Sequence, residues 1–332
     1  MANQKMLGFD IGSGYLKIAL CEDGLPSDAV CVKMPDHLVK DGRIISYGAM
    51  ADFIGEQLLA NGIHTKHCAV SLPADGCYIR RSTMPKMTVK QLAVNIPYEF
   101  HEFITEDIGA YFYDYAVLGK EENNLDLLLV VAKKKMLDEY RQMFRRARLK
   151  LMAIVPEELC YGRLLRNFEV RHGMTPEEKD YVILDLGHGS LEVHFYRRGI
   201  YEVTRSLEPG CDQVIAAIAN TSGMDEHSVM TRQGYSPDAS AAADTEDLET
   251  LYGNMAMQVM RVLNFYSFNN PDNNLDRVYY CGGGSCFSGL MDELRNNIEL
   301  PLVDLADLME GSAVAREDRT RIGAAVGSVL LP

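Results

Sequence analysis

Two short stretches of the chain carry matching chemistry. Phe9 to Leu20 reads FDIGSGYLKIAL and Leu184 to Phe195 reads LDLGHGSLEVHF, so Asp10, Gly12, Gly14 and Leu16 align with Asp185, Gly187, Gly189 and Leu191. After the glycines the pattern alternates. Leu16, Ile18 and Leu20 oppose Lys17, Ala19 and Cys21, and Leu191, Val193 and Phe195 oppose Glu192, His194 and Tyr196. A period of two is a strand. Both copies therefore predict strand, glycine turn, strand, where Rossmann and Walker loops pass from strand into helix and the Walker form needs Gly-Lys-Ser/Thr. A glycine hairpin can turn several backbone N–H groups toward one point, because glycine reaches positive φ and lets an anion approach closely. Two such hairpins across a cleft would grip a polyphosphate. A carboxylate beside phosphates repels them unless it orients a hydrated Mg²⁺, the role predicted for Asp10 and Asp185 through water. Lys17 would add a point charge. Taken singly, each Asp-x-Gly is equally a hairpin turn signal; the repetition favours a site.

A third glycine cluster lies near the C-terminus. Val278 to Cys281 reads as a buried strand, Gly282-Gly283-Gly284 as a tight turn, and Ser288 to Ile298 as a helix with Leu290, Leu294 and Ile298 on one face. Bare backbone there can lie against a flat ring or a phosphate, although a plain strand–helix turn reads the same way.

The elements that position these groups need room. A chain of 332 residues exceeds what one core usually supports, so two domains are expected, divided near residue 180 where the second copy begins. With 33 Lys+Arg against 47 Asp+Glu the formal charge is -14, which disfavours nucleic acid as a partner. No apolar run approaches the roughly 18 residues that cross a bilayer. The N-terminal segment lacks the basic and apolar regions of a signal peptide, so a cytoplasmic protein is expected. Eight cysteines without a Cys-x-x-Cys pair imply neither a disulfide framework nor a zinc knuckle.

The three glycine elements in this order, with Lys17 after the first, resemble the actin, Hsp70 and sugar-kinase ATPase superfamily. The resemblance implies an α/β, actin-like ATPase fold: two RNase H-like domains around a nucleotide cleft that holds ATP and Mg²⁺. It makes Val155 to Leu165 the first connecting helix, and Ile322 to Gly327, small residues at helical spacing, the second. It assigns Gly12, Ser13, Gly14, Lys17, Gly187, His188, Gly189, Gly210, Arg232, Gly282, Gly283 and Gly284 to the nucleotide. Glu157 falls where the superfamily orients the attacking water, though a Glu there also suits a helix N-terminus.

Residues 79–151 resemble the 1C subdomain of the FtsA/PilM branch. They offer a strand about Tyr78 to Thr83, a helix through Val89, Leu92, Ala93 and Ile96, a strand Leu125 to Ala132 and a helix from Met136 to Ala147. The implied division is 1–78 for subdomain 1A, 79–151 for 1C, 152–180 for the connecting region, 181–220 for 2A, 221–274 for 2B, 275–310 for the rest of 2A and 311–332 for the returning helix. The text LLLVVAKKKMLDEYRQMFRRARLK followed by IVPEE is similar to the PilM family. FtsA proteins add a linker and a membrane-binding amphipathic helix, whereas this sequence stops after the second connecting helix.

Membership of that family implies an ATP-binding scaffold of type IV pilus assembly, peripheral at the cytoplasmic membrane through its partners and at most a weak ATPase. It would capture the N-terminal tail of a PilN-like membrane protein in a groove beside 1C, with a PilO-like protein, pilus motor ATPases and self-association as further contacts. Three positions depart from the family pattern. Leu191 replaces a hydroxyl residue, His188 stands where actin has an acid, and within Ser228 to Arg232 Val229 replaces a Glu while Arg232 can stand in for a Lys. An FtsA-like filament former and a small-molecule kinase remain alternatives, but residues 221–274 read as too small and polar an insertion for a kinase pocket. Ser236 to Asp247 reads as a loop.

One helix concentrates positive charge. Lys133, Lys134, Lys135, Arg141, Arg145, Arg146, Arg148 and Lys150 lie in or beside a segment whose other face is Met136, Leu137, Tyr140, Met143 and Phe144. This is either a solvated face over a core stripe or a docking surface for an acidic partner or an anionic leaflet.

Overall fold

The computed structural model describes residues 5–330 except 41, 102, 103, 105, 121, 176–178 and 234–245. In chain order the first half comprises β1 (Met6–Ile11), β2 (Tyr15–Glu22), β3 (Leu25–Lys33), the short pair β4 (Val39–Lys40) and β5 (Arg43–Ile44), α1 (Tyr47–Ala60), β6 (His67–Leu72), β7 (Cys77–Pro85), α2 (Val89–Asn95), β8 (Tyr111–Lys120), β9 (Asn124–Lys133), α3 (Lys134–Arg146), β10 (Lys150–Pro156) and α4 (Glu157–Arg171). The second comprises β11 (Tyr181–Leu186), β12 (Leu191–Arg197), β13 (Ile200–Leu207), α5 (Cys211–Ser222), α6 (Glu226–Gln233), α7 (Glu246–Asn269), β14 (Val278–Cys281), α8 (Ser288–Asn297), β15 (Leu302–Asp304), α9 (Arg316–Arg321) and α10 (Gly323–Val329).

The sequence repeat is a repeat of topology. One five-stranded sheet runs β10-β6-β1-β2-β3 and the other β15-β14-β11-β12-β13, the same order in both. In each, three antiparallel strands form a meander and two parallel strands are added beside the first of them. The central strand β11 is buried along its whole length, as its unbroken YVILDL run requires.

Two helices join the halves. Cys160, Tyr161, Leu164 and Leu165 of α4 and Ala324, Ala325 and Val326 of α10 share one core with Ala19 of β2 and Ile183 and Tyr196 of the second sheet. The small residues of α10 let it approach closely. A Cβ on Gly8 of β1 would stand 1.9 Å from the Ala325 carbonyl oxygen, and one on Gly327 would stand 2.0 Å from that of Cys160.

The strands β7, β9 and β8 form a separate three-stranded sheet in that order. The helix α2 crosses it, started by a Thr88/Gln91 capping box and inserting Leu92 beside Leu127, Leu129 and Val131. The strand β8 is absent from the sequence expectation, although Tyr111, Tyr113 and Tyr115 at alternate positions all meet this core. On its other face Phe112, Ala116 and Leu118 are also apolar beside the charged Asp114, which blurs the alternation.

Two expectations are corrected by packing. The helix α3, read with the inserted subdomain, lies against α1 and the first sheet: Phe144 meets Phe9 at 5.0 Å between ring centroids, and Tyr140 meets Tyr47 at 5.6 Å. The 221–274 segment, read as polar, sends Leu248, Tyr252, Met255, Val259, Leu263 and Tyr266 of α7 into the core of the second sheet. A 24-residue helix turns only one face to the core, so its mean composition understates what it buries. The predicted loop at Ser236 to Asp247 falls outside the described residues but for its end, Glu246 and Asp247, which begin α7.

Candidate functional site

Strand register sets the site. Asp10 pairs with Lys17 across the first hairpin, and Asp185 pairs with Glu192 across the second. The Gly12 N–H donates to the Tyr15 carbonyl at 3.1 Å, closing the first turn tightly. The two turns meet at their tips, where a Cβ on Gly14 would stand 3.3 Å from the His188 ring. Behind them lies a cleft of about 740 Å³ lined from both halves, including Gly12, Ser13, Gly14, Gly187, Gly189 and Gly283. Its size is that of a small-molecule site. Across its mouth the Tyr15 hydroxyl donates to the Met230 carbonyl of α6 at 3.2 Å.

The floor holds the ionisable groups. The Lys17 ammonium donates to Asp10 Oδ2 at 2.7 Å. Burial opposes the charge of Lys17, but the carboxylates of Asp10, Asp185 and Glu157 outweigh it and raise its pKa well above the usual lysine value. Glu157, first residue of α4, is pushed well above the carboxylate range by burial and then by Asp185 and Asp10, with Lys17 opposing. Burial and the neighbouring carboxylates thus favour the neutral form of Glu157, and added positive charge in the cleft would favour the carboxylate. Tyr161, one turn further along α4, donates to Asp185 Oδ2 at 2.6 Å. Sequence reading missed Tyr161, although Glu157 and Tyr161 stand at the i, i+4 spacing that puts both on one helix face.

The predicted glycines divide into two kinds. Gly283 has open space where a Cβ would be and lines the cleft. Gly282, at φ +91°, would put a Cβ 2.3 Å from Asp185 Oδ1, and Gly210 would put one 2.3 Å from the His188 carbonyl oxygen. Neither Gly210 nor Gly282 lines the cleft: each lets one backbone segment press on a hairpin that does. Gly284 lines it and also packs on Cys211. The backbone of Arg232 lies in α6, and its side chain is outside the described residues.

Of the three positions that break the family pattern, His188 lines the cleft, whereas Leu191 and Val229 are each 1% exposed in the second core and do not line it. The hydroxyl at the second turn belongs to Ser190, which donates to Glu192 Oε1 at 2.9 Å and lines the cleft. Asp212, Met230 and Arg321 also line it without having been singled out from sequence. Burial lowers the pKa of His188, with Asp212 and Glu226 opposing.

Beside the cleft Glu158 is 4% exposed, and its Oε2 has no hydrogen-bond partner. Burial, aided by Glu192, raises its pKa from 4.5 to about 7. The folded chain then holds this proton more tightly than the unfolded chain, so the associated stability is present below pH 4.5 and is lost as pH rises through about 7. The loss is on the order of 3 kcal/mol. Glu158→Gln is expected to raise the melting temperature at pH 8 and to flatten its decline across that window. An unchanged pH profile by thermal denaturation would show that Glu158 ionises normally.

Among the described residues no group of three or more His, Cys, Asp and Glu side chains is arranged to hold a metal ion directly, and no helix is long and apolar enough to cross a membrane. Two sheets of one strand order, joined by α4 and α10 around a shared cleft, define an actin-like ATPase fold. The structure is similar to that of a PilM-PilN type IV pilus biogenesis complex, with TM-score 0.75, 19% identity and 97% of each chain covered. It is also similar to ethanolamine utilization protein EutJ from Carboxydothermus hydrogenoformans, with TM-score 0.62, 14% identity and coverage of 98% of this chain and 90% of that one. The family described as type IV pilus assembly protein PilM matches residues 8–326, and the chain belongs to that family. No curated protein matches the chain.

Proposed function

We propose that this chain is an ATP-binding scaffold of the type IV pilus machine that captures the cytoplasmic N-terminal tail of a PilN-like membrane protein. The observation that carries the reading is a second groove of about 640 Å³, remote in kind from the polar cleft. Its walls come from β8, β9, β10, α4 and the start of β13, with apolar Leu118, Leu128 and Met152 beside Arg141, Arg163 and Arg166. Both β8 and β10 are outer strands of their sheets. An extended tail with apolar and acidic residues fits such a place, because outer strands offer backbone hydrogen bonds and the walls read alternate side chains.

The cleft would take ATP, with the backbone of both hairpins on the phosphates and Gly283 and Gly284 beside the adenosine. Asp10 and Asp185 supply oxygen donors only, which suits Mg²⁺ held through water rather than in a protein cage. That ion would neutralise phosphate charge. ATP contacts both halves, so it favours one angle between them and acts as a ligand that selects a closure. Contacts with a PilO-like protein and with motor ATPases belong to the same reading.

A labelled PilN-type tail peptide tests it. The peptide is expected to bind the purified chain, and Met152→Glu with Arg166→Glu is expected to weaken binding at least tenfold, about 1.4 kcal/mol, with ATP affinity unchanged. Equal affinity in wild type and variant would remove the groove from the reading. ATP turnover at ordinary enzyme rates, about 10 per second, lost in Glu157→Ala, would replace the scaffold by an enzyme.

A further inference from the structure

We infer that the end of the first sheet opposite the cleft docks directly on an anionic lipid leaflet. Three cations of the basic segment are paired within the chain: Lys133 with Glu106, Arg141 with Asp138 and Arg146 with Asp52. Lys134 and Lys135 begin α3, and the remaining cations gather at its other end. Arg145, Arg148 and Lys150 form the exposed turn between α3 and β10, and Lys66 is their neighbour, its carbonyl accepting from the Lys150 N–H at 2.7 Å. None of these four has an ion-pair partner among the described residues. Arg148 sits at φ +60°, the tight turn that brings the cations together. In the last turn of α1, before the loop that leads to Lys66 and β6, Leu59 is 79% exposed.

Clustered cations and an exposed apolar side chain at one end of the sheet, in a chain of net charge -14, match a negative surface with a hydrocarbon interior. The patch lies where β6 and β10 begin, whereas the groove proposed for a protein tail is concave and lies elsewhere. Strand β10 joins the two: it leaves the patch at Lys150 and lines the groove from Leu151 to Pro156. A tail rooted in a membrane would thus enter on the side the cations face. That orientation rests on the proposed function; the charge and exposure do not.

The test uses the full chain and vesicles of phosphatidylcholine, with or without one-third phosphatidylglycerol, in a co-sedimentation assay. The wild type is expected to sediment with the anionic vesicles only and to be released at roughly 0.5 M salt. Lys66→Gln, Arg145→Gln and Lys150→Gln together are expected to lower vesicle affinity at least tenfold, since each cation near a charged leaflet contributes about 1 kcal/mol. Unchanged melting temperature and tail-peptide affinity in the triple variant separate this surface from the groove. A wild type with no preference for anionic vesicles overturns the inference, and so does a triple variant that sediments as the wild type does.

Discussion

Lys17→Met is expected to abolish measurable ATP binding and to cost about 3–5 kcal/mol of stability, the range for removing one partner of a buried ion pair. Lys17 and Asp10 are both largely buried, their side chains 14% and 11% exposed, and the Nζ–Oδ2 distance is 2.7 Å. Methionine matches the length of the lysine stem, so packing changes little. What changes is charge: Asp10 and Asp185 would share the cleft floor with no cation between them. The effect on ATP follows from the same carboxylates, which repel phosphate once Lys17 no longer offsets them. Adding Asp10→Asn to Lys17→Met should recover part of the stability and none of the ATP affinity. Chemical denaturation and calorimetric titration read the two effects separately. ATP affinity within about threefold of wild type in Lys17→Met, roughly 0.7 kcal/mol, would place the phosphates elsewhere.

The second large effect is structural. Gly327→Ala is expected to destabilise the chain by about 3 kcal/mol or more, the upper part of the overpacking range. The added Cβ would stand 2.0 Å from the carbonyl oxygen and 2.4 Å from the carbonyl carbon of Cys160. Both are backbone atoms, so no side chain can swing aside; α10 must move off α4, which loosens the joint between the two sheets. Gly55→Ala is the control. It sits inside α1 with nothing within 4 Å of the new Cβ, so it should stabilise by about 0.5–1 kcal/mol. Urea denaturation that places both variants within experimental error of each other would mean that α10 packs differently.

Nearly all the elements of the site could be read from the chain. The paired Asp-x-Gly-x-Gly hairpins are local features: alternation and glycine placement dictate strand, turn and strand without reference to the rest of the fold. Their recurrence also announced the duplicated sheet. What could not be read was orientation at a distance. Gly210 and Gly282 look like the other site glycines in sequence, yet each is glycine because another segment presses on it, Asp185 in one case and the His188 carbonyl in the other. Val229 looked like a lost ligand, and it faces the core. Lys17 was read only as a charge for phosphate; its pairing with Asp10 follows from the hairpin register, and its raised pKa depends on Asp10 together with Asp185 and Glu157, which arrive from other elements.

The three-stranded sheet shows the same division. Its strand β9 and helix α2 follow from periodicity and a capping box, both nearest-neighbour effects. Strand β8 was hidden because apolar residues occur on both its faces, and the packing of α3 on the first sheet could not be seen because an amphipathic stripe records that a face is buried and not what buries it.

By itself, then, the sequence determined the two glycine hairpins, the triple-glycine turn, the small-residue helix and the position of the basic segment, because each is set by residue type and spacing within a few residues. Only tertiary structure decided which glycines line the cleft and which hold it in shape, that burial favours the neutral form of Glu157, that Tyr161 donates to Asp185 while Leu191 and Val229 face the core, and which cations of the basic segment have no ion pair. Those properties are set by burial and by charges from segments far apart in the chain, and distance in space is not written in local pattern.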